Sequence, residues 1–345
     1  MIFVLPGDID DPELPSGGNV YDRRIVAGLR QLGRPVREVA VPGAWPSPGA
    51  GARALLDREL AAVPAGALVV IDGLVACGVP EVVVPHAARL RLVVLVHMPL
   101  GDETGAAAAL DARERTTLHA ARAVVTMSAG TARRLRRHHG LSRVHVVPPG
   151  TDPAPVSAGS ELLCVASLTP HKGQDTLVEA LAAVADLDWR CRLVGPLRRA
   201  PSFAARVREL IARHDLTSRV VVTGPLTGPA LDRAYERAGL LVLPSRSETY
   251  GMVVAEALAR GIPVLASAGA EALGRAADGS LPGILVPPGD VPALAGALRS
   301  WLTSPSLRGS LRRSARLRRG ALPDWTTAAR TMDRVLGELE PPPPG

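Results

Sequence analysis

Lysine and asparagine are almost missing from this 345-residue chain: of its 40 lysines and arginines only Lys172 is a lysine, and Asn19 is the sole asparagine. Aromatic residues are also sparse, at 3%. That excludes the nucleic-acid binders that stack bases on aromatic platforms, although a charge of +7 invites such a reading. The three cysteines, Cys77, Cys164 and Cys191, are odd in number, far apart and without C-x-x-C spacing, which excludes a disulfide scaffold or a metal finger. No apolar run approaches the ~18–20 residues of a membrane span. The start, Met1 to Asp8, has no basic segment before Pro6, so no secretory signal is expected and the location is read as cytoplasmic. The preference for arginine over lysine points to a compositional bias, so part of the positive charge carries no message about partners.

What is present is globular: 47% hydrophobic and 21% charged residues. Short β-branched or Leu-rich runs recur at 2–5, 67–71, 92–96, 123–126, 144–147, 162–165, 190–194, 220–223, 240–243 and 263–266. Most are followed by helix-length stretches with apolar residues three and four apart, such as Leu177, Leu181 and Val184. Strand alternating with helix is the grammar of a parallel, doubly wound α/β sheet. It pauses once, at the Pro- and Gly-rich stretch 148–160. The expected organisation is an N-terminal domain over 1–150, a linker over 151–160, a second domain over 161–323, and a C-terminal helix with a disordered proline-rich tail over 324–345.

The densest chemistry lies at 245–264, SRSETYGMVVAEALARGIPV. A strand ends at Leu243-Pro244, a loop presents Glu248, and a helix begins near Tyr250 or Gly251. Free amides at that start, over Tyr250, Gly251, Met252 and Val253, form an anion site, and a glycine lets a ligand come close. Glu248 and Glu256 are eight residues apart, so one carboxylate precedes the helix and the other sits in its second turn. Two acceptors around an anion site suit a diphosphate between two polyhydroxyl rings. Spacing alone equally allows Glu248 to be a cap and Glu256 a solvated helix residue.

This segment resembles the E-x7-E signature of glycosyltransferase family 4, matching it at Glu248, Gly251, Glu256, Ala257, Ala259, Gly261, Pro263 and Val264, with Tyr250 and Met252 as conservative replacements and Thr249 as a departure. A second stretch, VASLTPHKGQDTLVEA at 165–180, is similar to the segment in which the family's Arg and Lys hold the donor diphosphate. Lys172 stands at the lysine position, but Ser167 replaces the arginine, with nearby Arg246 or an arginine of the other domain as alternative substitutes. Gly283 to Asp290 resembles a further family turn, and Trp325 falls where the family carries a tryptophan.

In the first half, Ser16-Gly17-Gly18-Asn19 is read as a loop before a helix starting at about Val20; the resemblance implies that Gly17 and Gly18 face the donor phosphates. His97, at the end of the run 92–96, resembles the family histidine that contacts the donor sugar. Two arginine-rich runs, 133–139 and 308–319, are read as solvated helix faces, the first allowing a weak peripheral membrane contact. The pairs Asp8/Asp10 and Asp186/Asp188 only imitate a metal motif.

The resemblance implies a GT-B fold, two Rossmann-like doubly wound domains facing a cleft. It implies a retaining transferase that moves a sugar from a nucleotide-sugar to a small-molecule, glycan or lipid acceptor, with no nucleic-acid partner, no cofactor beyond the co-substrate, and no metal. Glu248, His97 and Lys172 are the expected catalytic residues. Gly17, Gly18, Lys172, Tyr250, Gly251, Met252, Val253 and Glu256 are the expected donor-binding set. A sugar-nucleotide epimerase of the same fold and a catalytically silent sugar-nucleotide binder are the rival readings.

Overall fold

A computed structural model describes residues 1–102, 108–267 and 270–340; the proline-rich tail expected to be disordered lies outside them. The chain divides into two compact units, one of residues 1–10, 18–150 and the described part of 323–345, the other of residues 11–17 and 151–322. Residues 151–160 carry neither helix nor strand.

The first unit holds strands β1 (Ile2–Pro6), β2 (Arg37–Val41), β3 (Leu68–Asp72), β4 (Arg91–Val96), β5 (Ala123–Thr126) and β6 (Val144–Val146). They form one parallel sheet in the order β2-β1-β3-β4-β5-β6. The second unit holds β7 (Glu161–Val165), β8 (Cys191–Val194), β9 (Val220–Gly224), β10 (Ala238–Leu243), β11 (Val264–Ala266) and β12 (Gly283–Leu285), all parallel, in the order β12-β11-β10-β7-β8-β9. All ten expected strands form. The two that sequence reading missed, β2 and β12, sit at sheet edges, where partial exposure removes the unbroken apolar run that marks a covered strand.

Helices bury one stripe each against these sheets. Tyr21, Ile25, Val26 and Leu29 do so on the helix Gly17–Gln31, and Leu177, Val178 and Leu181 on Gln174–Ala182. In each sheet the chain reverses its direction of growth once, between β1 and β3 in the first unit and between β7 and β10 in the second. Strands diverging from such a point leave a crevice at their carboxyl ends, where open α/β sheets bind ligands.

Two expectations change. The helix expected from Val20 starts at Gly17, so Gly17 and Gly18 form its first turn rather than a loop. Their poor helix propensity, about 1 kcal/mol each, is outweighed by the buried stripe that follows. The arginines of 308–319 are not simply a solvated face. Arg308 donates to the carbonyls of Trp301 and Leu302, Arg312 to Gly159, Arg318 to Leu273, and Arg319 to Ala154 and Ala259. Arg313 and Arg316 are exposed, as are Arg133, Arg134, Arg136 and Arg137 on the helix Ala129–His139.

Candidate functional site

The loops after β7 and β10 leave neighbouring strands at the reversal point of the second sheet. The first turns through Pro170–Lys172 into Gly173, whose φ is 69°, and then into the helix Gln174–Ala182. A Cβ on Gly173 would lie 2.3 Å from the Pro244 carbonyl oxygen, so only glycine lets the two loops lie together. Backbone hydrogen bonding follows this approach: Arg246 N donates to His171 O at 2.9 Å. The Arg246 guanidinium reaches Pro170 O at 3.3 Å, which places this arginine beside the lysine turn. Gln174 Nε2 donates to Ser167 O at 3.0 Å and steadies the segment where the family arginine is replaced.

Lys172 and Glu248 meet here. Lys172 Nζ donates to Glu248 Oε2 at 2.9 Å, a partly buried ion pair between residues 76 positions apart. Gly251, with φ 83°, precedes the helix Met252–Ala259, and a Cβ on it would lie 2.6 Å from the Ala270 Cβ. The Met252 and Val253 amides find no acceptor among the described residues, as a helix start requires. Tyr250 is buried, its backbone carbonyl accepting from Ala272 N at 2.9 Å. The geometry therefore gathers an ammonium, free amides and a carboxylate at one strand-end crevice.

Glu256 is not a solvated helix residue. Tyr235 Oη donates to its Oε2 at 2.6 Å, and the Arg260 guanidinium lies 4.5 Å from the Tyr235 ring centroid. Burial raises the Glu256 pKa, while the Tyr235 hydrogen bond and the Arg260 charge pull it back. Sequence reading missed Tyr235; its signal was rarity, one of three tyrosines.

In the first unit, Gly18 lies against His97, where an added Cβ would come within 3.0 Å of the imidazole ring. His97 follows β4, and its Nε2 lies 2.9 Å from Asp22 Oδ1 and 3.3 Å from Asp72 Oδ2, with Nδ1 3.5 Å from Met127 Sδ. Each ring nitrogen thus lies near a protein atom. Tyr21 stacks edge-on at 5.4 Å between ring centroids. Burial alone would lower the His97 pKa, but Asp22 and Asp72 outweigh it and push it up to about 10. Burial pushes Asp22 up to about 7, against the opposing pull of His97. Neither aspartate was singled out from sequence, because Asp22 lies on an otherwise apolar helix stripe and Asp72 reads as the cap of Gly73–Ala76.

Two family models match the chain: "Glycosyltransferase Family 4" over residues 17–155 and "Glycosyl transferases group 1" over 156–318. A D-inositol 3-phosphate glycosyltransferase 1 from Catenulispora acidiphila is 32% identical over 283 residues, 75% of this chain and 66% of the relative. A D-inositol 3-phosphate glycosyltransferase from Nocardiopsis dassonvillei is 30% identical over 287 residues, 75% of this chain and 64% of the relative. The chain thus spans just under two thirds of the length of these curated relatives. Among solved structures, sucrose-phosphate synthase from Thermosynechococcus elongatus superposes with a TM-score of 0.79 at 22% identity, covering 98% of this chain and 99% of that one. Anabaena HepE in complex with UDP-glucose gives 0.75 at 18%, with 98% and 99% covered. At such identities the likeness carries the fold, two Rossmann-like domains of the GT-B type. Among the described residues no helix is long and apolar enough to cross a membrane.

Proposed function

Since the chain belongs to glycosyltransferase family 4, we propose that it transfers a hexose from a nucleotide-sugar to a small polyol acceptor, with retention at the anomeric carbon. The observation that carries this reading is the meeting of Lys172, Glu248 and the helix start at Gly251 on neighbouring loops of one sheet. The Lys172 ammonium and the Met252 and Val253 amides meet the charge that grows on the departing diphosphate, which is where preorganised donors lower a barrier most. Glu248 holds Lys172 in place and accepts from hydroxyls of the sugar ring. Glu256, fixed by Tyr235, accepts from the ribose. Arg246 supplies the second cation that Ser167 lacks. No metal is assigned to the diphosphate.

The names of the relatives support a phosphorylated cyclitol as acceptor, and the complex of the HepE neighbour supports a uridine nucleotide as donor. The test is incubation with UDP-, GDP- and ADP-hexoses, with and without inositol phosphate, followed by NMR of the products. Free nucleoside diphosphate together with an α-glycoside is expected only when acceptor is present. An epimerised donor without transfer, or binding without turnover, overturns the reading.

A further inference from the structure

Asp22 is the most anomalous polar residue of the first unit. Its side chain is buried, and neither carboxylate oxygen accepts a hydrogen bond of sound geometry. A buried carboxylate without a donor is strongly disfavoured, so something must balance it. The nearest polar atom, His97 Nε2, is close enough at 2.9 Å but lies off the hydrogen-bond direction and is itself without a hydrogen-bond partner. Asp72 contributes the third group. One of its oxygens caps the short helix by accepting from Leu74 N at 2.6 Å, while Oδ2 faces His97 at 3.3 Å.

These atoms are arranged around a point rather than along bonds. One donor atom each from Asp22, Asp72 and His97 lies within 4.8 Å of the others. Nitrogen and oxygen ligands held at about 2.0–2.2 Å from one ion sit about 2.9–3.6 Å apart in octahedral or tetrahedral geometry, which is the spacing seen on His97. Binding displaces the His97 proton, and the two carboxylates and the neutral imidazole then carry −2, which a divalent cation cancels. We propose that Asp22, Asp72 and His97 bind one zinc ion within the first unit. The imidazole selects zinc over magnesium. The ion ties the carboxyl ends of β3 and β4 to the helix Gly17–Gln31, and so fixes the first turn that carries Gly18. The inference stands apart from the transfer reaction and does not depend on it.

A second His and carboxylate cluster, Asp111, His138 and His139, serves as the internal control, because both of its Nε2 atoms are taken up in hydrogen-bonded pairs, His138 with Asp111 at 2.6 Å and His139 with Glu114 at 3.0 Å, even though His139 Nδ1 has no partner among the described residues. The full chain is stripped with a chelator, and Zn2+ is titrated back against a chromophoric competitor at pH 7. One equivalent is expected, with affinity lowered about 100-fold or more in Asp22→Asn, since losing even a supporting group around a metal costs 10–100-fold. His138→Ala should bind as the parent does. X-ray absorption of the zinc-loaded parent, which needs no variant, should show one imidazole among oxygen ligands. Absence of stoichiometric zinc, equal binding by Asp22→Asn, or loss of binding in His138→Ala overturns the proposal. The first of these would mean that protons alone balance the three buried groups.

Discussion

Lys172 is where the scarcity of one residue type became informative. A chain that uses arginine for nearly every cation keeps a lysine at a turn pressed between Gly173 and Glu248, where a compact ammonium fits and a planar fork does not. Lys172→Ala should weaken nucleotide-sugar binding by about 1.5–3 kcal/mol, the range for a hydrogen bond to a charged group. Lys172→Arg should fall short of the parent as well. Calorimetric titration reads both, and unchanged affinity in Lys172→Ala removes the phosphate role. Glu256 supports a second residue-scale prediction, in pH. Its pKa is raised chiefly by burial, so the native state holds the proton more tightly than the unfolded chain. The stability this contributes is present below the ordinary carboxylate pKa and is lost as pH rises through the raised value. Glu256→Gln cannot ionise. Its melting temperature should therefore gain on the parent as pH rises above the ordinary carboxylate range, while nucleoside diphosphate binding weakens. Tyr235→Phe removes a hydrogen bond that favours the charged form, so the loss of nucleotide affinity on acidification should begin at higher pH than in the parent. A melting curve for Glu256→Gln that tracks the parent at every pH would show that the buried carboxylate is not costly.

Among the elements, the helix Met252–Ala259 owes its position to one residue. Gly251 adopts φ 83° against Ala270, so Gly251→Ala adds both backbone strain and a clash at 2.6 Å. A loss of about 1–3 kcal/mol in urea denaturation is expected, together with weaker donor binding as the helix start shifts. Gly309 makes the opposite case. It lies in the exposed interior of the helix Pro305–Arg319 with nothing within 4 Å of an added Cβ, and Gly309→Ala should stabilise by about 0.5–1 kcal/mol. Equal effects of the two substitutions would refute the backbone argument.

At the scale of the molecule, the chain crosses into the second unit and comes back. The helix Trp325–Gly337 belongs to the first unit. Trp325 meets Tyr21 edge-on at 6.0 Å between centroids, and Arg34 pairs with Asp333 at 2.6 Å. Gly28 packs so close to Ala329 that an added Cβ would lie 2.5 Å from the alanine methyl. Met332 and Leu336 are fully buried and together represent about 3–6 kcal/mol of apolar burial, a large part of a domain's usual 5–15. A chain ending at residue 322 should therefore unfold its first unit at markedly lower temperature, seen by calorimetry or limited proteolysis. Unchanged melting would contradict the assignment of this helix.

The sequence by itself determined the alternation of strand and helix, ten of the twelve strands, and the two loops that carry Lys172 and Glu248, because covered strands and Gly-marked helix starts leave local signatures. It could not supply the two edge strands β2 and β12, whose partial exposure interrupts the apolar run, nor the partners of residues far apart in the chain. That Glu256 is buried against Tyr235, that four arginines of 308–319 tie backbone carbonyls, and that Asp22 and Asp72 close around His97 were decided by tertiary structure alone. The physical reason is one of range. Propensity and periodicity act over a few residues, whereas burial, desolvation and charge pairing depend on which segments the sheet order brings together.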